Sequence, residues 1–154
     1  MPKQLRLRTL PSEESTLRGK NLEIQFPLSA EILDLIEDMK LTVKKAPGIG
    51  LAAPQVGKNL MLAIINLEEL GVKPFGIINP RVISKSIKKT EMDEGCLSMP
   101  GQFGPVRRPA KVEVSAYNEQ GKKVLIKAGK LLAKVLQHEI DHLNAVLIID
   151  KMEK

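Results

Sequence analysis

Apolar residues recur along this chain with two different periods, and each change of period marks a new element. Ile32, Leu35, Ile36 and Met39 follow the i, i+3, i+4, i+7 spacing of one helix face. Ser29 stands before them as an N-cap, and Glu31 suits the positive end of the helix. Pro47-Gly48 predicts a stop near Lys45. The glycines and small residues from Gly48 to Gly57 predict a backbone-exposed loop or a bent strand. Residues 60–66 and 76–80 read as short buried strands joined by a connection over 68–74. Residues 81–89 alternate only partly and read as a charged edge strand. Asp93 to Ser98 interrupts the strands, and Gly101, Gly104, Pro105 and Pro109 predict irregular chain after it. Val112, Val114 and Ala116 alternate with Lys111, Glu113 and Ser115, the pattern of a half-buried strand. Asn118 to Gly121 turns the chain into a returning strand over 123–127. From Lys130 the period is helical again, through Leu131, Leu132, Val135, Leu136, His138, Glu139 and His142. Residues 146–149 are apolar and read as a closing strand. Residues 1–28 show no regular pattern beyond a turn or short helix start at Pro11 to Glu14.

Helix, many short strands, helix is the order of an α+β protein. The expectation is one domain, residues 1–154, with antiparallel β-sheets packed around a central C-terminal helix and one N-terminal helix. Composition agrees: 154 residues at 43% hydrophobic suffice for one core, and with 3% aromatics and no Trp it must be aliphatic. The formal net charge of +6 favours an anionic partner such as RNA. The lysines are spread along the sequence without interleaved aromatics, however, so a scattered basic surface is expected rather than a dedicated nucleic-acid site. Cys96 is the single cysteine, which excludes an intrachain disulfide and suits a reducing compartment. No apolar run is long enough to cross a bilayer, and the N-terminus lacks the apolar core of a secretory signal. The expected location is the cytoplasm.

Both histidines of the chain lie in Gln137-His138-Glu139-Ile140-Asp141-His142, an H-E-x-x-H sequence inside the last helical run. Residues four apart on a helix lie almost one above the other, so His138 and His142 can reach one metal ion. Glu139 sits at the edge of that face, where a carboxylate meets a metal-bound water. A catalytic site of this kind takes three protein ligands and leaves one position open. Asp150 and Glu153 are the only carboxylates downstream of His142, and Cys96 is the one soft ligand upstream. A Cys96, His138, His142 set is the simplest assignment. Read alone, Cys96 is better taken as a small buried apolar residue, the common fate of a free cysteine.

Three segments together say more. Gly48-Ile49-Gly50-Leu51-Ala52-Ala53-Pro54-Gln55, Glu94-Gly95-Cys96-Leu97-Ser98 and Gln137 to His142 resemble, in order and spacing, the three signature motifs of the peptide deformylases. The resemblance runs from about Ser29 to Met152. It implies a monomeric α+β metalloenzyme that removes the formyl group from N-formyl-methionine at the start of new polypeptides. By motif match, Cys96, His138 and His142 bind the metal and Glu139 is the general acid/base for attack by metal-bound hydroxide. Gln55 and the backbone N–H of Leu97 hold the developing oxyanion. Ile49, Leu131 and Val135 match the methionine pocket, and the backbone of Gly50 and Gly95 pairs with the substrate peptide. A thiolate with two imidazoles suits zinc, ferrous iron, nickel or cobalt. The resemblance implies ferrous iron in the cell, replaceable by zinc or nickel.

The chain departs from the family pattern in two places. Lys130 stands where glycine is usual before Leu-Leu-Ala, and Ala145 where glycine is usual after His-Leu-Asn. The segment through Phe26 matches weakly, and the chain ends soon after residue 149 without the long C-terminal helix of some members. That leaves transient ribosome contact to the basic surface. Asp141 is expected to point off the ligand face, paired with Arg108 or solvated. The rival readings are another kind of metallopeptidase and a non-enzymatic basic RNA-binding module with a structural metal.

Overall fold

Ser29 caps its helix as its position predicts, its Oγ accepting from the Ile32 amide at 3.2 Å. This helix, α2 (Ala30–Lys45), follows a four-residue helix, α1 (Glu14–Leu17). The computed structural model describes residues 1–152. After α2 come β1 (Gly50–Ala52), β2 (Leu62–Ile65), β3 (Phe75–Lys85), β4 (Lys89–Cys96), β5 (Met99–Pro109), β6 (Lys111–Tyr117) and β7 (Lys123–Gly129). The last helix, α3 (Lys130–Leu143), carries the histidines. Five strands form an antiparallel sheet in the order β1-β2-β3-β6-β7, and β4 pairs with β5 in a separate two-stranded ribbon.

Alternation along β2 explains the layering. Leu62 and Ile64 face α2 and its Ile36, Met39 and Val43. Ala63 and Ile65 point the other way, into a core with Ile77, Val114 and Ala116 of the sheet and Ala133, Val135, Leu136, Ile140 and Leu143 of α3. The two helices thus cover opposite faces of the sheet. Among the described residues no helix is long and apolar enough to cross a membrane.

The structure corrects several local expectations. Gly50 to Val56 is a short strand and a 3-10 turn, buried throughout and not backbone-exposed. Residues 81–85 continue β3 and pair with β6; they do not form a separate strand. Asp93 to Cys96 belongs to β4, and residues 99–109 form the regular strand β5 despite their glycines and prolines. Those residues were hard to read because ribbon strands bury few apolar side chains, so the usual alternation is missing. Residues 148–150 close the fold as a 3-10 turn, with only an isolated bridge from Val106 to Met152. Glu153 lies outside the described residues.

Both departures from the family pattern fall at left-handed backbone. Lys130 has φ +53° and Ala145 has φ +62°, so α3 is bracketed by two conformations that favour glycine.

Candidate metal centre

The site is built where α3 crosses the end of the β4–β5 ribbon. His138, Glu139 and His142 are buried, and the two imidazoles lie with their centroids 5.0 Å apart. Cys96 ends β4, and its Sγ is 3.2 Å from His142 Nε2. One donor atom from each of Cys96, His138 and His142 lies within 4.8 Å of the others. Asp150 is elsewhere: both its carboxylate oxygens accept from Arg18, at 2.9 and 3.0 Å.

A second layer of charge orients this cluster. His138 Nδ1 meets Glu94 Oε1 at 3.0 Å, which leaves Nε2 to face the other donors. Arg108 grips the same carboxylate through Nε at 2.5 Å and Nη2 at 2.9 Å. Its Nη1 donates to Asp141 Oδ2 at 2.7 Å, so of the two states open to Asp141, paired with Arg108 or solvated, the structure has the paired one. Burial works against a charged Glu94, yet His138 and Arg108 hold its carboxyl down at about 2. Burial likewise disfavours charge on His138, but Glu139, Cys96 and Glu94 lift its pKa to about 10. Burial pushes Glu139 up to about 7 and, with His138 and Arg108, lowers His142 well below the ordinary range.

Glu139 Oε2 is 3.9 Å from His138 Nε2. Its Oε1 is buried and bonds to no other group among the described residues. Gly50 is a glycine for a local reason: a Cβ there would run into the Glu139 carboxylate. Gln55 is fixed from both ends. Its Oε1 accepts from the Ala52 amide at 2.9 Å, and its Nε2 lies 3.4 Å from Cys96 Sγ and 3.2 Å from Ser98 Oγ. The N-terminal segment ties this layer down, with the amides of Arg8 and Leu10 donating to the carbonyls of Gln55 and Ser98.

A cavity of about 600 Å³ opens over these groups. Ile49, Gly50, Gln55, Gly95, Cys96, Leu97, Val135, His138 and Glu139 all line it. Leu131 does not: it packs against the sheet core beneath α3. His142 sits deeper, behind the cavity wall. Phe103 and Lys134 also line the cavity and were not anticipated. Phe103 lies over Gly95, where any Cβ would strike its ring, yet the side chain is 75% exposed. The sequence hides this position because the glycines and prolines around it predict irregular chain where β5 runs. In the sequence Glu94 stands out only as part of a motif, since nothing in its spacing reveals a bond to His138.

A half-buried thiol, two imidazoles converging on one point and an adjacent carboxylate with one oxygen free fit a divalent ion with an open position. The family model for polypeptide deformylases matches residues 5–154. The chain belongs to that family. A peptide deformylase of Alkaliphilus metalliredigens is 40% identical over 148 residues, covering 96% of this chain and 98% of that protein. The solved deformylase of Thermotoga maritima superposes with a TM-score of 0.90 at 32% identity, covering 98% of this chain and 99% of that one. A Synechococcus elongatus deformylase, solved in complex with actinonin, gives a TM-score of 0.90 at 40% identity, covering 97% and 79%. As a family member, this deformylase is a metallohydrolase, and Cys96, His138 and His142 are its candidate ligands for a divalent metal.

Proposed function

We propose that this deformylase hydrolyses the formyl group from N-formyl-methionine at the start of nascent polypeptides, releasing formate. The observation that carries the reading is the convergence of Cys96, His138 and His142 beside the unpartnered Glu139 carboxylate. Cys96 Sγ and the Nε2 atoms of both histidines would hold the ion. When bound, it supplies Lewis acidity and a water acidified to a pKa of about 7. We assign ferrous iron as the cellular ion, with zinc, nickel or cobalt able to replace it.

The chain's own residues do the rest. Glu139 accepts a proton from the attacking water through its free Oε1 and returns it to the amide nitrogen as the C–N bond breaks. Gln55 Nε2, held beside Cys96, and the Leu97 amide donate to the carbonyl oxygen as charge develops there. Glu94 and Arg108 keep the His138 ring turned toward the site. The backbone of Gly50 and Gly95 flanks the cavity, where an extended peptide adds as a strand. Ile49 and Val135 offer apolar surface to the methionine side chain. The same reading makes the protein a cytoplasmic monomer in transient contact with the ribosome.

The test is formate release from formyl-Met-Ala-Ser by protein purified without oxygen and supplied with ferrous iron or nickel. Release that disappears in Cys96→Ser together with the bound metal supports the reading. Absence of release from metal-loaded wild-type protein refutes it.

A further inference from the structure

The basic residues look scattered along the chain, but the fold gathers them. A cavity of about 310 Å³ lies between the β3–β4 hairpin, β5 and the Gln137 to Asp141 side of α3. A second, of about 410 Å³, lies against the same end of β3 and the adjoining β6 and β7. The two share Lys85 and Ser86 and so form one face. Lys85, Lys89, Arg107, Lys111 and Lys127 on it are exposed. Among the described residues these five cations make no ion pair, whereas Arg108 and Lys151 both reach Asp141. Among the described residues Glu113 and Asp141 are the only carboxylates lining either cavity, and with Arg108 buried against Glu94 the exposed face stands at +4, against +6 for the whole chain. Glu91 stands opposite Arg107 in register without pairing to it. Elsewhere, then, acids and bases nearly balance.

We infer that this face docks on the phosphate backbone of structured RNA. Unpaired lysines and an arginine around two shallow hollows complement a row of phosphates. No aromatic side chain lines either hollow, so there is nothing to stack on bases, and the contact is independent of sequence. The apolar tip of the β3–β4 hairpin, Ile87, is 99% exposed and stands among the cations. The face shares no lining residue with the catalytic cavity, so RNA held there leaves that mouth open to a peptide. The choice of RNA among polyanions rests on the deformylase reading, because nascent chains are made on an RNA-rich machine. The charge of the face does not depend on it.

The test is fluorescence anisotropy of a labelled RNA duplex with the full chain, across a salt series. Binding is expected with a slope of log K against log salt of about −4 to −5, one unit per engaged cation. Lys85→Glu with Arg107→Glu should flatten that slope by about 2 and weaken low-salt binding at least about tenfold. Lys85→Gln with Arg107→Gln is the milder pair should the reversal fail to fold. Formate release should be unchanged in both, which shows that the fold is intact and reads the deformylase assignment separately. Reversing Lys58 and Lys73, which line neither hollow, should leave RNA affinity within twofold. Failure of wild-type protein to bind RNA at low salt overturns the inference. So does equal loss in the Lys58 and Lys73 control, or binding to phosphatidylserine vesicles with RNA ignored.

Discussion

The five-stranded sheet and the β4–β5 ribbon hold their shapes by different means. In β2 every residue is buried and every one is apolar. In β4 the one fully buried residue is Glu94, and β5 buries Arg108 alongside Met99 and Val106. The sheet is held by area and packing, which tolerate exchange of one aliphatic side chain for another. The ribbon is held by a bidentate ion pair taken out of water, which tolerates nothing that leaves one partner behind. That difference follows from what each part supports. The sheet backs two helices; the ribbon must aim one sulfur and one imidazole at a common point.

The largest predicted effect lies in the chemistry the ribbon frames. Glu139→Gln keeps the shape and removes the proton carrier, and should lower kcat by about a hundred- to ten-thousandfold. Metal content by elemental analysis should be unchanged; retained turnover would eliminate the acid/base role. Next, Arg108→Met should destabilise the protein by about 3–5 kcal/mol by stranding a buried carboxylate. Ile64→Val in the sheet should cost only about 0.5–1.5 kcal/mol. Urea denaturation of the two variants reads the contrast, and equal losses would erase it.

Smaller effects come from the ends of α3. Lys130→Gly and Ala145→Gly relieve left-handed backbone at non-glycine residues, and each should stabilise by about 1 kcal/mol. A lower midpoint in either variant would show that the side chain's contacts outweigh the strain. The smallest effect is at Asp150, whose pKa the Arg18 guanidinium holds below the ordinary carboxylate value. A depressed pKa stabilises the fold above the unfolded value of 3.8 and loses that contribution as pH falls through the folded one. The pair is partly exposed to solvent, so Asp150→Asn should cost about 0.2–1 kcal/mol at neutral pH and nothing once the acid is protonated. Thermal melts near neutrality and at steps of pH falling below 3.8 check the sign.

Two kinds of information were legible in the residues alone. Periodicity placed α2 with its Ser29 cap, the β6–β7 hairpin and α3, because each carries an apolar face of regular spacing. Motif spacing named His138, His142 and Glu139, because a helix puts positions four apart on one side whatever surrounds it, and Cys96 followed as the single cysteine inside a family motif. The β4–β5 ribbon was illegible because its inward positions are charged, and an inward charge looks in sequence like a surface one.

What the chain order settled, then, was local: which stretches are helical, which residues are metal-ligand types, and which family they fit. Tertiary structure alone decided that Glu94 turns His138, that Phe103 rather than Leu131 walls the cavity, and that scattered lysines converge on one face. Those facts depend on residues tens of positions apart, whose proximity comes from the whole packing of sheet, ribbon and helix. No local pattern encodes that distance.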